Sequence, residues 1–115
     1  MDITDVKIVL RNEEKLKAFA SITLDECFVV TGLRIISGAQ GYFVSMPSRR
    51  RRDGTYQDIL HPINNEARKL IEDKVLDAFE YEINKWGGME AFEANFEKYM
   101  GSVGYLNDDS EGMSN

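Results

Sequence analysis

The sequence predicts an α+β fold, in which an antiparallel β-sheet of about five strands with a β-hairpin arm precedes a long C-terminal helix and a second shorter helix. Through the first 60 residues, apolar and polar residues alternate as in half-buried strands. From residue 64 onward, apolar residues recur at spacings of three and four, as on one face of a helix. The chain has 115 residues and no internal repeat, which favours a single domain.

The predicted strands lie within residues 1–62. Apolar and β-branched residues are dense in five runs: residues 3–10, 16–24, 27–36, 42–46 and 55–60. In the second run, Ala18, Ala20 and Ile22 share one face, because side chains alternate along a strand. Phe19 therefore lies on the opposite face.

Glycine, proline and turn residues bend or end these strands. Gly32 inside the third run predicts a bulge, and the first run is irregular near Thr4 and Asp5. Pro47 ends the fourth run. Asp53-Gly54 favours a tight turn, so the last run returns as the second arm of a hairpin.

A long helix is predicted over residues 64–86. Asn64 or Asn65 can cap its first turn, and Glu66 suits the positive end of the helix dipole. Its apolar stripe consists of Ala67, Leu70, Ile71, Val75, Ala78, Phe79, Ile83 and Trp86. Two consecutive glycines follow this stripe and predict the end of the helix.

The chain then divides into a core domain and an extension. The core domain is residues 1–86, with the sheet in 1–62 and the helix in 64–86. A further amphipathic helix is expected over residues 87–100. Residues 101–115 are rich in Gly, Ser, Asn and Asp, which predicts a flexible tail.

The charge of the chain is unevenly distributed. The net charge is -6. Residues 1–65 hold nine Lys and Arg against eight Asp and Glu, a net of +1. Residues 66–115 hold five against twelve, a net of -7. The N-terminal half can therefore present a local positive face to a polyanion although the whole chain is acidic.

The sequence contains no signal for export or membrane insertion. Its first residues lack the basic and apolar regions of a signal peptide, and no apolar run approaches the ~20 residues of a membrane helix. Cys27 is the only cysteine, so an intrachain disulfide is impossible. We expect a cytoplasmic protein that makes no membrane contact.

Four consecutive arginines, Arg49, Arg50, Arg51 and Arg52, are the strongest local indication of function. They are four of the chain's seven arginines. They could form a solvated charged hairpin, or they could bind phosphates, which a guanidinium grips through two parallel hydrogen bonds. Other basic residues of the predicted sheet could extend this patch, although such residues more commonly belong to a solvated strand face. They are Lys7, Arg11, Lys15, Lys17 and Arg34.

Three aromatic residues, Tyr42, Phe43 and Tyr56, flank the arginine run. Such residues can stack unpaired bases, although strand aromatics more often belong to the core or to cross-strand pairs. Tyr42 and Phe43 must point to opposite faces of their strand. At most one of these two rings therefore belongs to a given surface.

No catalytic, cofactor or metal site is predicted. The lone His61 is expected to be a hydrogen-bonded structural residue, and Cys27, beside Phe28, a small buried one. One histidine and one distant cysteine cannot supply a zinc site. No nucleophile–base pair or glycine-rich phosphate loop stands out, so we expect a protein that is not an enzyme and takes no small-molecule substrate.

Five segments in register resemble the septation protein SpoVG family, also called stage V sporulation protein G. These segments are Ser21–Asp25, Phe28–Val30, Gly41–Arg50, Asp53–Gly54 and Asp58–Asn64. The match runs from residue 1 to about residue 85. It departs from the family at Arg51 and Arg52, where less basic residues are expected, and residues 87–115 extend beyond the common core.

The resemblance implies a small cytoplasmic dimer with a β-rich N-terminal part and a C-terminal helix. Such proteins affect septum formation and sporulation, and they bind DNA and RNA to regulate gene expression. Basic residues after the Met-Pro-Ser segment are implicated in that binding, and Arg49 and Arg50 occupy those positions. The expected partners are thus nucleic acid and a second copy of the chain. The alternative is a protein-interaction module of the division machinery that does not bind nucleic acid.

Overall fold

The computed structural model describes residues 1–101 and shows the predicted α+β class. The elements follow one another as β1 (Ile3–Leu10), β2 (Leu16–Leu24), β3 (Phe28–Gly38), β4 (Gly41–Ser45), β5 (Ser48–Arg50), β6 (Tyr56–Asp58), α1 (Asn65–Lys85) and α2 (Met89–Ala94). The first four strands form one antiparallel sheet in the order β1-β2-β3-β4. The last two strands form a separate two-stranded hairpin. The fifth predicted strand therefore pairs within the hairpin and does not extend the main sheet.

The irregularities predicted in the strands are present in the sheet. The register between β1 and β2 shifts between Ile3 and Asp5. The register between β2 and β3 shifts opposite Gly32, which has a φ of +84°. A side chain is strained at such a φ, so the glycine permits the bulge at this position.

The turn between β2 and β3 corrects one prediction. Asp25 and Glu26 have φ values of +50° and +55°, and the Cys27 N–H donates to the Leu24 carbonyl at 2.8 Å. These are the features of a type I′ turn, and three residues separate the paired Leu24 and Phe28. Cys27 is therefore exposed at the end of the sheet and is not the buried residue expected from its apolar neighbours.

One face of the sheet and one face of α1 enclose the core. Ile71, Val75, Phe79 and Ile83 are the buried residues of α1, and each lies one turn from the next. They pack in one cluster with the β2 residues that were predicted to share one face, and with Leu33 and Ile35 of β3. Burying this apolar surface is the main favourable contribution to folding.

Helix α1 begins and ends where the sequence indicates. The Asn64 Oδ1 accepts a hydrogen bond from the Ala67 N–H at 2.8 Å, which caps the first turn. At the other end, the Gly88 N–H donates to the Ile83 carbonyl at 3.1 Å, and Gly87 has a φ of +89°. This is the Schellman arrangement, in which a glycine adopts the left-handed conformation that ends a helix.

The extension forms two short helical segments and joins the same core. Asn95 separates α2 from residues 96–101, which are helical again. Phe92 is fully buried, and its ring centroid lies 5.3 Å from that of Tyr99 and 6.4 Å from that of Trp86. The predicted tail over 101–115 lies outside the described residues, except for Gly101.

One hydrogen bond ties the extension to the edge of the sheet. The Tyr99 hydroxyl accepts from the backbone N–H of Leu10 at 2.6 Å, and both residues are buried. Among the strands of residues 1–101, β1 pairs only with β2, so this N–H lies at the edge of the sheet and has no strand partner there. In the described part of the chain, no helix is long and apolar enough to cross a membrane.

Candidate nucleic-acid interface

The hairpin of β5 and β6 carries the arginine run. Ser48 pairs with Asp58, Arg49 with Gln57 and Arg50 with Tyr56. The Arg51 N–H donates to the Thr55 carbonyl at 2.7 Å and closes the loop. At the base of the hairpin, the ladder continues with the Ile59 N–H, which donates to the Pro47 carbonyl at 2.7 Å.

The loop of the hairpin is held by its own residues. The Gly54 N–H donates to the Arg51 carbonyl at 3.0 Å, and Gly54 has a φ of +90°. The Asp53 Oδ1 accepts from both the hydroxyl and the N–H of Thr55, at 2.6 and 3.0 Å. These two hydrogen bonds hold the pKa of the Asp53 carboxyl below its ordinary value, and the bond from the Thr55 hydroxyl has the larger effect. The tight turn expected at Asp53-Gly54 is thus formed.

All four arginines are exposed on this hairpin. Within residues 1–101, none of their guanidinium groups forms an ion pair or a side-chain hydrogen bond. Arg49 and Arg50 are consecutive in a strand and therefore point to opposite faces of the hairpin. The run is thus a cationic arm with two sides, and its four guanidinium groups do not form one flat patch.

The hairpin is positive even when its own acids are counted. Residues 48–58 contain four arginines against Asp53 and Asp58, a net of +2. Helix α1, by contrast, carries six acidic and four basic residues. Ion pairs such as Arg68–Glu72 and Lys69–Asp73 join charges on successive turns of this helix. A polyanion would therefore favour the hairpin over the surface of α1.

The three flanking aromatic residues lie in three different settings. The Tyr42 ring contacts Phe79 of α1, edge to face, with ring centroids 5.2 Å apart. Phe43 lies on the opposite face of the sheet, as the alternation predicts, and is 45% exposed. Tyr56 is exposed and pairs with Arg50 in the hairpin. The three rings therefore belong to three different surfaces: Tyr42, 43% exposed, lies on the α1 side of the sheet, Phe43 on the other side and Tyr56 on the hairpin.

The structure brings together basic residues that seem unrelated in the sequence. The guanidinium groups of Arg11 and Arg34 lie over the ring of Phe19, 5.2 and 5.9 Å from its centroid. Lys17 is engaged elsewhere, since its Nζ donates to the Glu13 carbonyl at 2.7 Å. The only signal in the sequence was the position of Phe19 on the outer face of β2, which does not reveal its cationic neighbours.

The remaining candidate residue does not belong to a site. His61 is exposed and makes no side-chain hydrogen bond to the described residues, so the expectation of a hydrogen-bonded structural histidine is wrong. It follows the hairpin directly and lies outside the core cluster, which leaves its ring without a buried partner. Among residues 1–101, no three His, Cys, Asp or Glu side chains are grouped so as to hold a metal ion.

The fold and its basic arm define a class of small α+β proteins, in which an exposed cationic hairpin follows a four-stranded sheet in the chain and precedes the long helix that covers the sheet. The sequence model of the SpoVG family matches residues 1–81. The chain belongs to the SpoVG family. The matched residues include the whole sheet, the hairpin and most of α1, whereas α2 and residues 96–101 lie beyond them.

Relatives from three bacteria agree with this assignment. The chain is 51% identical over 87 residues to a protein of Bdellovibrio bacteriovorus, covering 76% of this chain and 81% of the relative. It is 46% identical over 91 residues to one of Anaeromyxobacter sp. strain K, covering 79% and 90%. It is 46% identical over 85 residues to one of Phytoplasma australiense, covering 73% and 88%. All three carry the name "Putative septation protein SpoVG".

Proposed function

We propose that this protein is a cytoplasmic, homodimeric regulator that binds DNA or RNA through Arg49–Arg52 and acts in septum formation, cell division and sporulation-related gene expression. The observation that carries the proposal is the exposed hairpin with four arginines that have no acidic partner within residues 1–101. The septation role is supported by the names of the family members.

The physical reason for expecting a phosphate ligand is the electrostatic repulsion among the four arginines in the free protein. Four like charges close together repel one another, and no contact in the described structure compensates for their clustering. Phosphates would supply that compensation through charge-assisted hydrogen bonds, which are stronger than hydrogen bonds between neutral groups. Binding would release counterions from the nucleic acid and would therefore weaken as salt rises.

A second copy of the chain is part of the proposal. The segment that joins the hairpin to α1 leaves large apolar side chains uncovered, with Ile59 67% and Ile63 89% exposed. A partner surface that covers them would remove them from water. Light scattering at micromolar concentration should give the mass of a dimer, and a monomer mass would contradict this part of the proposal.

The test is a salt series of binding to a duplex, with a charge-matched control. If half to all of the eight arginines in a dimer contact phosphates, log K should fall against log salt with a slope of about -4 to -7, at ~0.9 per contact. Replacing Arg49, Arg50, Arg51 and Arg52 by Gln should flatten the slope to nearly zero. The control replaces the four cations of α1, namely Arg68, Lys69, Lys74 and Lys85, by Gln.

Both variants lower the net charge by four, so a difference between their salt slopes reports where the cations lie and not how much charge was removed. The control should keep most of the wild-type slope, since it leaves the hairpin intact. Equal losses in the two variants would indicate a diffuse electrostatic effect. Unchanged affinity and slope in the hairpin variant would refute the proposed binding site.

One observation favours the alternative, a protein-interaction module of the division machinery. Tyr42, Leu76, Phe79, Ile83 and Met89 line an open apolar cleft between β4, α1 and α2, and Glu80 lies at its rim. A partner protein recovered from nuclease-treated extract, together with no binding to nucleic acid at physiological salt, would favour this reading over the first.

A further inference from the structure

The two faces of the sheet have different surroundings. Helix α1 packs on the face that carries Ala18, Ala20 and Ile22. The other face, which we call the open face, presents Phe19 near its centre. Strand pairing places four open-face residues in one row across all four strands: Val9, Phe19, Arg34 and Ser45.

Cations predominate on the open face of this acidic protein. Lys7, Arg11 and Arg34 lie there, and the acid among its strand residues, Asp5, lies near the end of β1. Two of these cations are held over the Phe19 ring, because a guanidinium is attracted to the face of an aromatic ring. Their positions are thus partly fixed before any ligand arrives, which lowers the entropy lost on binding.

A second aromatic ring lies on the open face beside these cations. Phe43 pairs with Ile36, next to the pairing of Arg34 with Ser45. Its ring lies against Gly38, where an added Cβ would come within 3.1 Å of the ring. The missing side chain at Gly38 therefore makes room for the ring, which remains 45% exposed.

The open face is close to the arginine hairpin along the chain. Ser45 lies directly opposite Arg34, and β5 begins three residues later at Ser48. Three residues span at most about 10 Å of extended backbone. A single strand of nucleic acid could therefore run from the hairpin onto the open face.

We propose that the open face, through Lys7, Arg34 and Phe43, binds unpaired bases and the backbone of single-stranded nucleic acid. This inference rests on the proposed function and adds a preference for single strands. Proteins that bind single strands combine a positive surface with aromatic rings on which bases stack. A second copy of the chain is a poorer occupant, since two open faces in contact would bring like charges together.

The test compares single strands with duplexes in the full-length chain. Fluorescence anisotropy would measure the affinity for a labelled mixed-sequence oligonucleotide, as DNA and as RNA, and for the duplexes of the same sequence. Phe43→Ala and Phe43→Leu should weaken binding of the single strands by about 5- to 150-fold, the effect of losing one stacked base. Phe43→Leu keeps the apolar bulk and removes only the aromatic face.

Two further variants separate charge from stacking. Arg34→Gln should reduce the salt slope for the single strand by about 0.7, the value for one phosphate contact. Tyr81→Ala is the matched control, because Tyr81 is an exposed aromatic residue on α1. It should leave both affinities within twofold of wild type. The Phe43 variants should bind the duplexes within twofold of wild type, since stacked base pairs do not present a free face.

The outcomes distinguish this inference from the proposed function. If the hairpin variant loses binding while the Phe43 variants bind single strands like wild type, the open-face site is refuted and the hairpin site stands. If the Phe43 variants change the mass in light scattering and not the affinity, the open face is a contact between protein chains. Wild-type protein that binds none of the four probes would overturn both proposals.

Discussion

Tyr99→Phe tests whether the extension is part of the core by removing a single oxygen atom. The hydroxyl accepts from the Leu10 N–H at 2.6 Å, and the two residues are 89 positions apart in the chain. Phenylalanine keeps the ring, which contacts Trp86 and Phe92 with centroids 5.6 and 5.3 Å away. The substitution thus removes the hydrogen bond and leaves the aromatic packing in place.

The expected loss follows from the burial of the Leu10 N–H. Leu10 is 0% exposed, so its amide has no ready access to water once the hydroxyl is gone. A buried donor without a partner costs about 1–3 kcal/mol. At roughly 4 °C for each kcal/mol in a domain of this size, the melting temperature should fall by about 4–12 °C. Urea unfolding should show a lower midpoint with an unchanged slope.

The pH dependence gives a second measurement of the same contact. Burial raises the pKa of the Tyr99 phenol above its ordinary value of 10.0. The folded state therefore holds this proton more tightly than the unfolded state. The stability that Tyr99 contributes is complete below pH 10 and is lost as pH rises through the raised pKa. The stability difference between wild type and Tyr99→Phe should shrink in that range.

Tyr81→Phe is the control, since Tyr81 is exposed and its hydroxyl makes no hydrogen bond within residues 1–101. It should change the free energy of unfolding by less than about 0.5 kcal/mol, as is usual at the surface. An equally small change for Tyr99→Phe would refute the reasoning. It would mean that the Leu10 N–H finds another partner or that residues 96–101 do not stay on the core.

Two other predictions concern the start of α1 and the hairpin. Asn64→Ala should lower the free energy of unfolding by about 1 kcal/mol, because the Ala67 N–H loses its capping hydrogen bond. Asn64→Asp should retain most of this stability, because a carboxylate can also cap the helix. Equal urea midpoints for Asn64→Ala and wild type would contradict the capping role. Gly54→Ala should speed hydrogen exchange at the Arg51 N–H and leave the melting temperature nearly unchanged, because a side chain is strained at φ +90° and the hairpin is outside the core. Unchanged exchange at Arg51 would show that the loop tolerates the side chain.

Much of the fold could be predicted from local patterns. The two-residue period grouped Ala18, Ala20 and Ile22 on one face, because a strand directs alternate side chains to one side, and the structure buries that face in the core. Asn64 predicted the start of α1, since its side chain can bond the free N–H groups of the first turn. The family also follows from the sequence, because the segments that carry it keep their order and spacing.

Predictions failed where a residue's neighbours come from elsewhere in the chain. Cys27 was predicted to be buried because its neighbours in the sequence are apolar, but the hairpin turn places it at the exposed end of the sheet. His61 was predicted to be a hydrogen-bonded structural residue, and it is exposed beside the hairpin. By contrast, the second, shorter helix that the sequence predicted is present, as two segments on either side of Asn95, and its aromatic residues complete the core.

The sequence by itself determined the strand faces, the limits of α1, the arginine run and the family. Only the tertiary structure decided that the Tyr99 hydroxyl bonds the Leu10 N–H and that Arg11 and Arg34 both lie over the Phe19 ring. It also decided that the two strands of the hairpin form a sheet separate from the main one. The physical reason is the range of the interactions. Alternation, capping and turn preferences act within a few residues, whereas these contacts depend on how distant segments pack together.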